Sequence, residues 1–155
     1  MAKYTYQNLA LLVLLLVGLI VVASPTLVSA RTEDAAGGEE EESNFVVKLT
    51  DETHDDAIKS TGKLTFIKYF APWCGHCKRL APVWAELAEL YKDDLTVDIA
   101  VVDCTVHKTT CASVGVKGYP TLKLYEAGKE LDTYKGARSL EALKGFITDS
   151  QQGKM

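Results

Sequence analysis

Cys74 and Cys77 are separated only by Gly75 and His76, in the run Tyr69-Phe70-Ala71-Pro72-Trp73-Cys74-Gly75-His76-Cys77-Lys78, where strand-like residues give way to a helical pattern. Two thiols one helical turn apart can close a disulfide and exchange it with other thiols. The unsatisfied amides and the dipole of a helix N-terminus favour a thiolate at Cys74 and make it the attacking sulfur, while Cys77, one turn inside, is expected to be the more buried resolving thiol. His76 can hold the Cys74 thiolate as an imidazolium, which favours the dithiol over the disulfide and makes the pair a stronger oxidant. The same spacing could be half of a zinc site, but a structural site takes four ligands and the remaining thiols are Cys104 and Cys111. No metal and no cofactor is expected.

Cys104 and Cys111 flank Thr105 to Thr110. In an oxidising compartment the first reading is a structural disulfide closing this small loop, provided the Cα atoms lie within about 7 Å. A second redox pair and two buried free thiols are the alternatives. Trp73 and Tyr119 offer aromatic surface that could hold an unfolded peptide beside an active disulfide, against the alternative of ordinary packing. His54 and His107 lie in polar stretches without a ligand pattern and are given no role.

The elements that must position these residues follow from periodicity. Short apolar runs alternate with longer helical stretches, the rhythm of an α/β domain. Strands are expected at 45–49, 64–70, 95–102, 121–125 and 130–134, the last two as a hairpin through Ala127-Gly128. Helices are expected at 51–60 behind an N-cap at Thr50, at 74–92 with a proline kink at Pro82, at 108–114, and at 139–149 behind an N-cap at Ser139. The order β-α-β-α-β-α-β-β-α implies a mixed sheet covered by helices on both faces.

The run Ala71 to Lys78, together with Lys117-Gly118-Tyr119-Pro120-Thr121, resembles the thioredoxin superfamily and, more narrowly, the protein disulfide isomerases. The likeness covers Phe45 to about Ile147, within a thioredoxin domain expected at 44–150, and is similar in detail to single thioredoxin modules of the endoPDI type, which carry runs like Val102 to Thr105 and Gly118 to Leu122. The resemblance implies a thioredoxin-like α/β fold and a thiol-disulfide oxidoreductase or isomerase with no cofactor. It makes Pro120 the expected cis-proline beside the active disulfide, with the Tyr119 backbone binding an extended substrate. Two departures bear on mechanism. Many members carry a buried Glu six residues before the first cysteine and a Lys on the neighbouring strand; here Lys68 and Val101 stand in those places. Lys68, if desolvated under the active-site helix, is expected to assist proton transfer at Cys77; otherwise it snorkels to the surface. Lys117 replaces an Arg that many isomerases use to tune the resolving cysteine, or is simply an exposed loop charge. A peptide-binding chaperone module would need no cysteine pair at a helix start, and a reducing thioredoxin typically carries Pro where His76 stands.

Composition sets the surroundings. The 155 residues are 47% hydrophobic with a net charge of -4, and the basic residues are scattered, so one compact domain is expected and nucleic acid is not an expected partner. Lys3 followed by the apolar run Leu9 to Ala23 reads as a signal peptide over 1–30, too short for a membrane span, with cleavage after Ala30. Residues 31–43, with Glu39 to Glu42, read as an acidic disordered tail, and 151–155 as a C-terminal tail without a retrieval signal. The expected setting is therefore the endoplasmic reticulum lumen or the exterior. Expected partners are unfolded or misoxidised secretory polypeptides and an upstream thiol oxidase or glutathione.

Overall fold

The computed structural model describes residues 43–153. The expected signal peptide, nearly all of the acidic segment and the last two residues lie outside the described residues. Leu64–Phe70 forms the central strand, β2, and its β-branched and aromatic residues are buried along its whole length. It pairs in parallel with β3 (Val97–Asp103) and antiparallel with β4 (Thr121–Glu126). A short β1 (Val47–Lys48) extends the sheet beyond β3, and β5 (Lys129–Tyr134) closes the other edge, giving the order β1-β3-β2-β4-β5.

Alternation along β2 divides the core in two. Leu64, Phe66 and Phe70 pack with helix α2 (Gly75–Leu90) and helix α4 (Leu140–Gln151), while Ile67 and Tyr69 pack on the opposite face with α1 (His54–Lys59) and α3 (Lys108–Ser113). This is the thioredoxin-like mixed sheet with helices on both faces that the sequence implies. The helical stripe of α2 supplies Leu80, Trp84, Leu87 and Ala88 to the first core. Burying each large side chain contributes about 1.5–3 kcal/mol. Trp84 is also fixed in register: its indole N–H donates to the Ala100 carbonyl at 3.2 Å and its ring lies 4.9 Å from that of Phe66. Pro82 sits on the exposed side of α2, where the Lys78 carbonyl that loses its in-helix donor can face water.

The start of α1 departs from expectation. The helix begins at His54, not at Asp51, because the Thr50 hydroxyl accepts the amides of Glu52 and Thr53 and closes a turn ahead of the helix. Asp51 is recruited elsewhere: it accepts the amide and hydroxyl of Thr110 at 2.9 and 2.6 Å, satisfying a first-turn donor of α3 from a distant loop. Thr110's donations hold the Asp51 carboxyl below the usual range. Ser139 does accept from Ala142 as a helix cap. The β4–β5 hairpin turns through Ala127 and Gly128 with φ of 49° and 83°, the left-handed pair that a two-residue connection between twisted strands demands.

Candidate active site

The chain leaves β2 at Phe70, turns through Ala71-Pro72-Trp73 and enters α2 at Cys74. The Cys74 amide donates to Ala71 O at 3.0 Å and its carbonyl accepts the Lys78 amide at 3.0 Å, so Cys74 is the N-cap residue itself. Its sulfur faces the first-turn amides. Cys74 is 9% exposed and Cys77 is 0% exposed, and both are free thiols. Burial opposes ionisation at Cys74, but it is outweighed by hydrogen bonds from the Cys77 amide and thiol and the His76 amide and by the Arg138 charge, so Cys74 lies below the ordinary thiol value of 9.0. Burial pushes Cys77 up to about 12, although the Ala71 backbone and the Lys68 charge act in the opposite sense. One thiol is thus poised to ionise while its neighbour is held protonated.

The loop 115–120 closes over this pair. The Tyr119-Pro120 peptide is cis, and the Tyr119 carbonyl accepts from Cys74 Sγ at 3.5 Å. Trp73 is 72% exposed and meets the half-buried Tyr119 ring edge-on at 5.9 Å, so the two aromatics form a ledge beside Cys74. His76 is exposed, and its Nδ1 accepts from Arg79 Nη2 at 2.8 Å, a bond that the neutral ring makes and the imidazolium would lose. A Cβ at Gly75 would meet only the tip of Arg79 at 3.8 Å, so the backbone does not itself demand glycine there.

Lys68 is wholly buried, with the apolar neighbours Val101 and Leu122 across the two ladders and its Nζ 5.0 Å from the centre of the Phe70 ring. The snorkelling alternative is therefore excluded. Lys117 is an exposed loop residue ahead of Tyr119. Lys68, not Lys117, is the cation that bears on Cys77, and the cation that bears on Cys74 is Arg138, which no motif around the cysteines announces. Arg138 is carried by the loop between β5 and α4, where the Tyr134 hydroxyl donates to Ala137 O at 2.6 Å and Ser139 caps the helix that follows. Only the Ser139 cap was visible beforehand, and it gave no hint of proximity to Cys74.

Cys104 and Cys111 are joined in a disulfide with Cα atoms 5.7 Å apart, packed in the second core on the opposite face of the sheet from Cys77. The four thiols therefore cannot converge on one zinc ion. Among the described residues no group of three or more His, Cys, Asp or Glu side chains gathers as a metal site, and no helix is long and apolar enough to cross a membrane.

A dithiol at a helix start, facing a cis-proline loop on this sheet, is the arrangement of a thioredoxin-fold redox protein. The chain belongs to the thioredoxin family, whose model matches residues 45–149, and its relatives set it among the protein disulfide isomerases. It is 45% identical over 126 residues to the thioredoxin domain-containing protein 5 homolog of Drosophila melanogaster, a match covering 80% of this chain and 30% of that protein. It is 39% identical over 107 residues to protein disulfide isomerase-like 5-1 of Oryza sativa subsp. japonica, covering 69% of this chain and 73% of the relative. Among solved structures, the J-Trx1 fragment of ERdj5 matches with a TM-score of 0.62 at 32% identity, covering 68% of this chain and 51% of that one. The chain thus spans under a third of the Drosophila relative and about three-quarters of the rice one.

Proposed function

We propose that this protein is a thiol-disulfide oxidoreductase and isomerase that forms and rearranges disulfides in secretory polypeptides, with Cys74 as the nucleophile and Cys77 as the resolving thiol. The observation that carries this reading is the placing of the two free thiols: Cys74 at the N-cap of α2 against the carbonyl that precedes the cis-proline, and Cys77 wholly buried one turn inside. In reduction of a substrate, the Cys74 thiolate attacks a substrate sulfur, the new S–S bond forms as the old one breaks, and the displaced sulfur leaves as a thiolate. Cys77 then attacks Cys74, closing the Cys74–Cys77 disulfide and releasing the second substrate sulfur. Oxidation of a substrate dithiol runs the same steps in reverse, and isomerisation uses the first step alone, with the mixed disulfide resolved by another substrate thiol.

Trp73 and the Tyr119-Pro120 loop form the ledge against which an extended substrate lies, with the free edge of the loop backbone available for pairing. His76 and Gly75 complete the exposed rim of the dithiol, and Cys104–Cys111 acts as a structural clamp on the far face. The apolar leader and the isomerase names of the relatives support an endoplasmic reticulum or extracellular setting, with unfolded or misoxidised polypeptides as substrates and a thiol oxidase or glutathione as the recycling partner. The test is to equilibrate the protein in glutathione buffers and to assay refolding of a scrambled disulfide substrate. A midpoint near about -180 mV with refolding activity supports the assignment, and one near about -270 mV without it replaces the assignment with a reducing thioredoxin.

A further inference from the structure

Lys68 and Cys77 are both 0% exposed and lie on the same side of the sheet, Lys68 following Phe66 on the face of β2 that carries α2. The lysine Nζ sits over Phe70, which shares one core cluster with Cys77. Beyond Phe70 and Val101 lies a cavity of about 340 Å³ whose wall also carries Lys48, Asp103 and His107. Other titratable groups facing the pair are Cys74 on α2 and Arg138 ahead of α4, whereas β4 presents Leu122 and Leu124.

We propose that Lys68 is the proton partner of Cys77: its amine takes the thiol proton as Cys77 becomes the attacking sulfur, and its ammonium then holds the thiolate. The inference rests on the reading of Cys74 and Cys77 as the redox pair. Thiol with amine and thiolate with ammonium both carry zero net charge, so moving the proton within the buried pair adds no net charge to the core. Ionising Cys77 alone would add one at high desolvation cost. The burial that pushes Cys77 up, countered by the Lys68 charge, is the electrostatic trace of this pairing.

The step balances. The Cys77 S–H bond breaks and an N–H bond forms on Lys68. The freed sulfur pair attacks Cys74, the Cys74–Cys77 bond forms as the Cys74–substrate S–S bond breaks, and the substrate sulfur leaves with the electron pair. Lys68 then returns its proton to solvent. A carboxylate that took the same proton would become a neutral acid and leave the Cys77 thiolate without a countercharge, whereas a protonated amine supplies one. Lys68 therefore shortens the life of the mixed disulfide and tilts the enzyme toward direct exchange over prolonged rearrangement.

The two thiols can be read separately by stopped-flow reaction of the reduced full chain with stoichiometric dithiobis(nitrobenzoate), which releases one coloured thiolate when Cys74 attacks and a second when Cys77 resolves. Lys68→Met is expected to slow the second release by about tenfold at neutral pH and to move its pH midpoint upward, leaving the first within about twofold. A second release unchanged across the pH range, or both releases slowed equally, overturns the proposal. Lys68→Gln carries the same comparison should the methionine variant not fold. The wild-type profile is a test needing no variant: a second release that keeps rising tenfold per pH unit toward about pH 12 means that Cys77 ionises unaided, and overturns it too. A wild-type chain that gives a first release and no second one at any pH sinks the redox-pair reading itself.

Discussion

Limited alkylation of the reduced protein with iodoacetamide tests the asymmetry on which the site depends. Cys74 lies below 9.0 and Cys77 is pushed up to about 12. At neutral pH these positions put at least about 1 in 100 of Cys74 and about 1 in 100,000 of Cys77 in the thiolate form, a ratio of about a thousandfold. The less acidic thiolate is intrinsically the better nucleophile, and a Brønsted slope near 0.45 over three pH units returns about twentyfold to Cys77. The net preference is thus at least about fifty to one for Cys74, before the full burial of Cys77 restricts the reagent further. Peptide mass spectrometry after substoichiometric labelling reads the ratio directly, and the Cys104–Cys111 disulfide keeps the other two sulfurs silent under mild reduction. Comparable labelling of Cys74 and Cys77, or a Cys74 rate that climbs with pH through and beyond 9.0, refutes the assignment of nucleophile and resolving thiol.

Arg138→Gln removes the cation acting on Cys74 and is expected to slow its alkylation at neutral pH by about threefold at low ionic strength, with the difference fading in salt. An equal effect in high salt would mean that the arginine acts through structure instead. His54 is buried and its Nε2 meets the Tyr69 hydroxyl at 2.7 Å; burial holds its folded pKa below the ordinary imidazole value of 6.5. The unfolded chain therefore binds the extra proton first, so the stabilisation is fully present above 6.5 and is lost as pH falls through the window beneath it. Denaturant midpoints should fall between neutral pH and about pH 5 with a slope of up to about 1.4 kcal/mol per pH unit from this group, and a His54→Gln variant should lose that share of the slope. Ala127→Asn relieves a left-handed alanine in the hairpin and is expected to raise stability by about 0.5–1 kcal/mol, read as a shift in thermal midpoint.

The parts of this fold that were legible in the sequence are those set by local chemistry. Leu64–Phe70 is bounded by Gly62, whose φ of 78° suits glycine, and by Pro72, so its ends match the reading residue for residue. The Ser139 cap and the Ala127-Gly128 turn are likewise local devices. Thr50 misled because Asp51, which would open the helix, is taken by Thr110, a partner the sequence does not place nearby. Arg138 was invisible for the same reason, since its position follows from the packing of Tyr134 and Ala137, not from any pattern around Cys74. Lys68 was identified as a departure, but periodicity could not choose between core and surface for a long amphipathic side chain. The strand's pairing on both sides made that choice.

The two thiols answer to different cations on different elements, Cys74 to Arg138 from the β5–α4 loop and Cys77 to Lys68 from within β2. An exposed-side charge and a buried one act on a redox couple in unequal ways. Solvent and salt weaken the first, so Arg138 chiefly adjusts how fast Cys74 attacks. Little solvent reaches the second, so Lys68 acts at full strength in the one step where Cys77 becomes the attacking sulfur. In the proposed cycle Lys68 is charged only while Cys77 is a thiolate and is neutral before and after, so it acts on the resolution step and not on the balance between dithiol and disulfide. The two cations therefore divide the cycle, Arg138 bearing on the attack by Cys74 and Lys68 on the attack by Cys77.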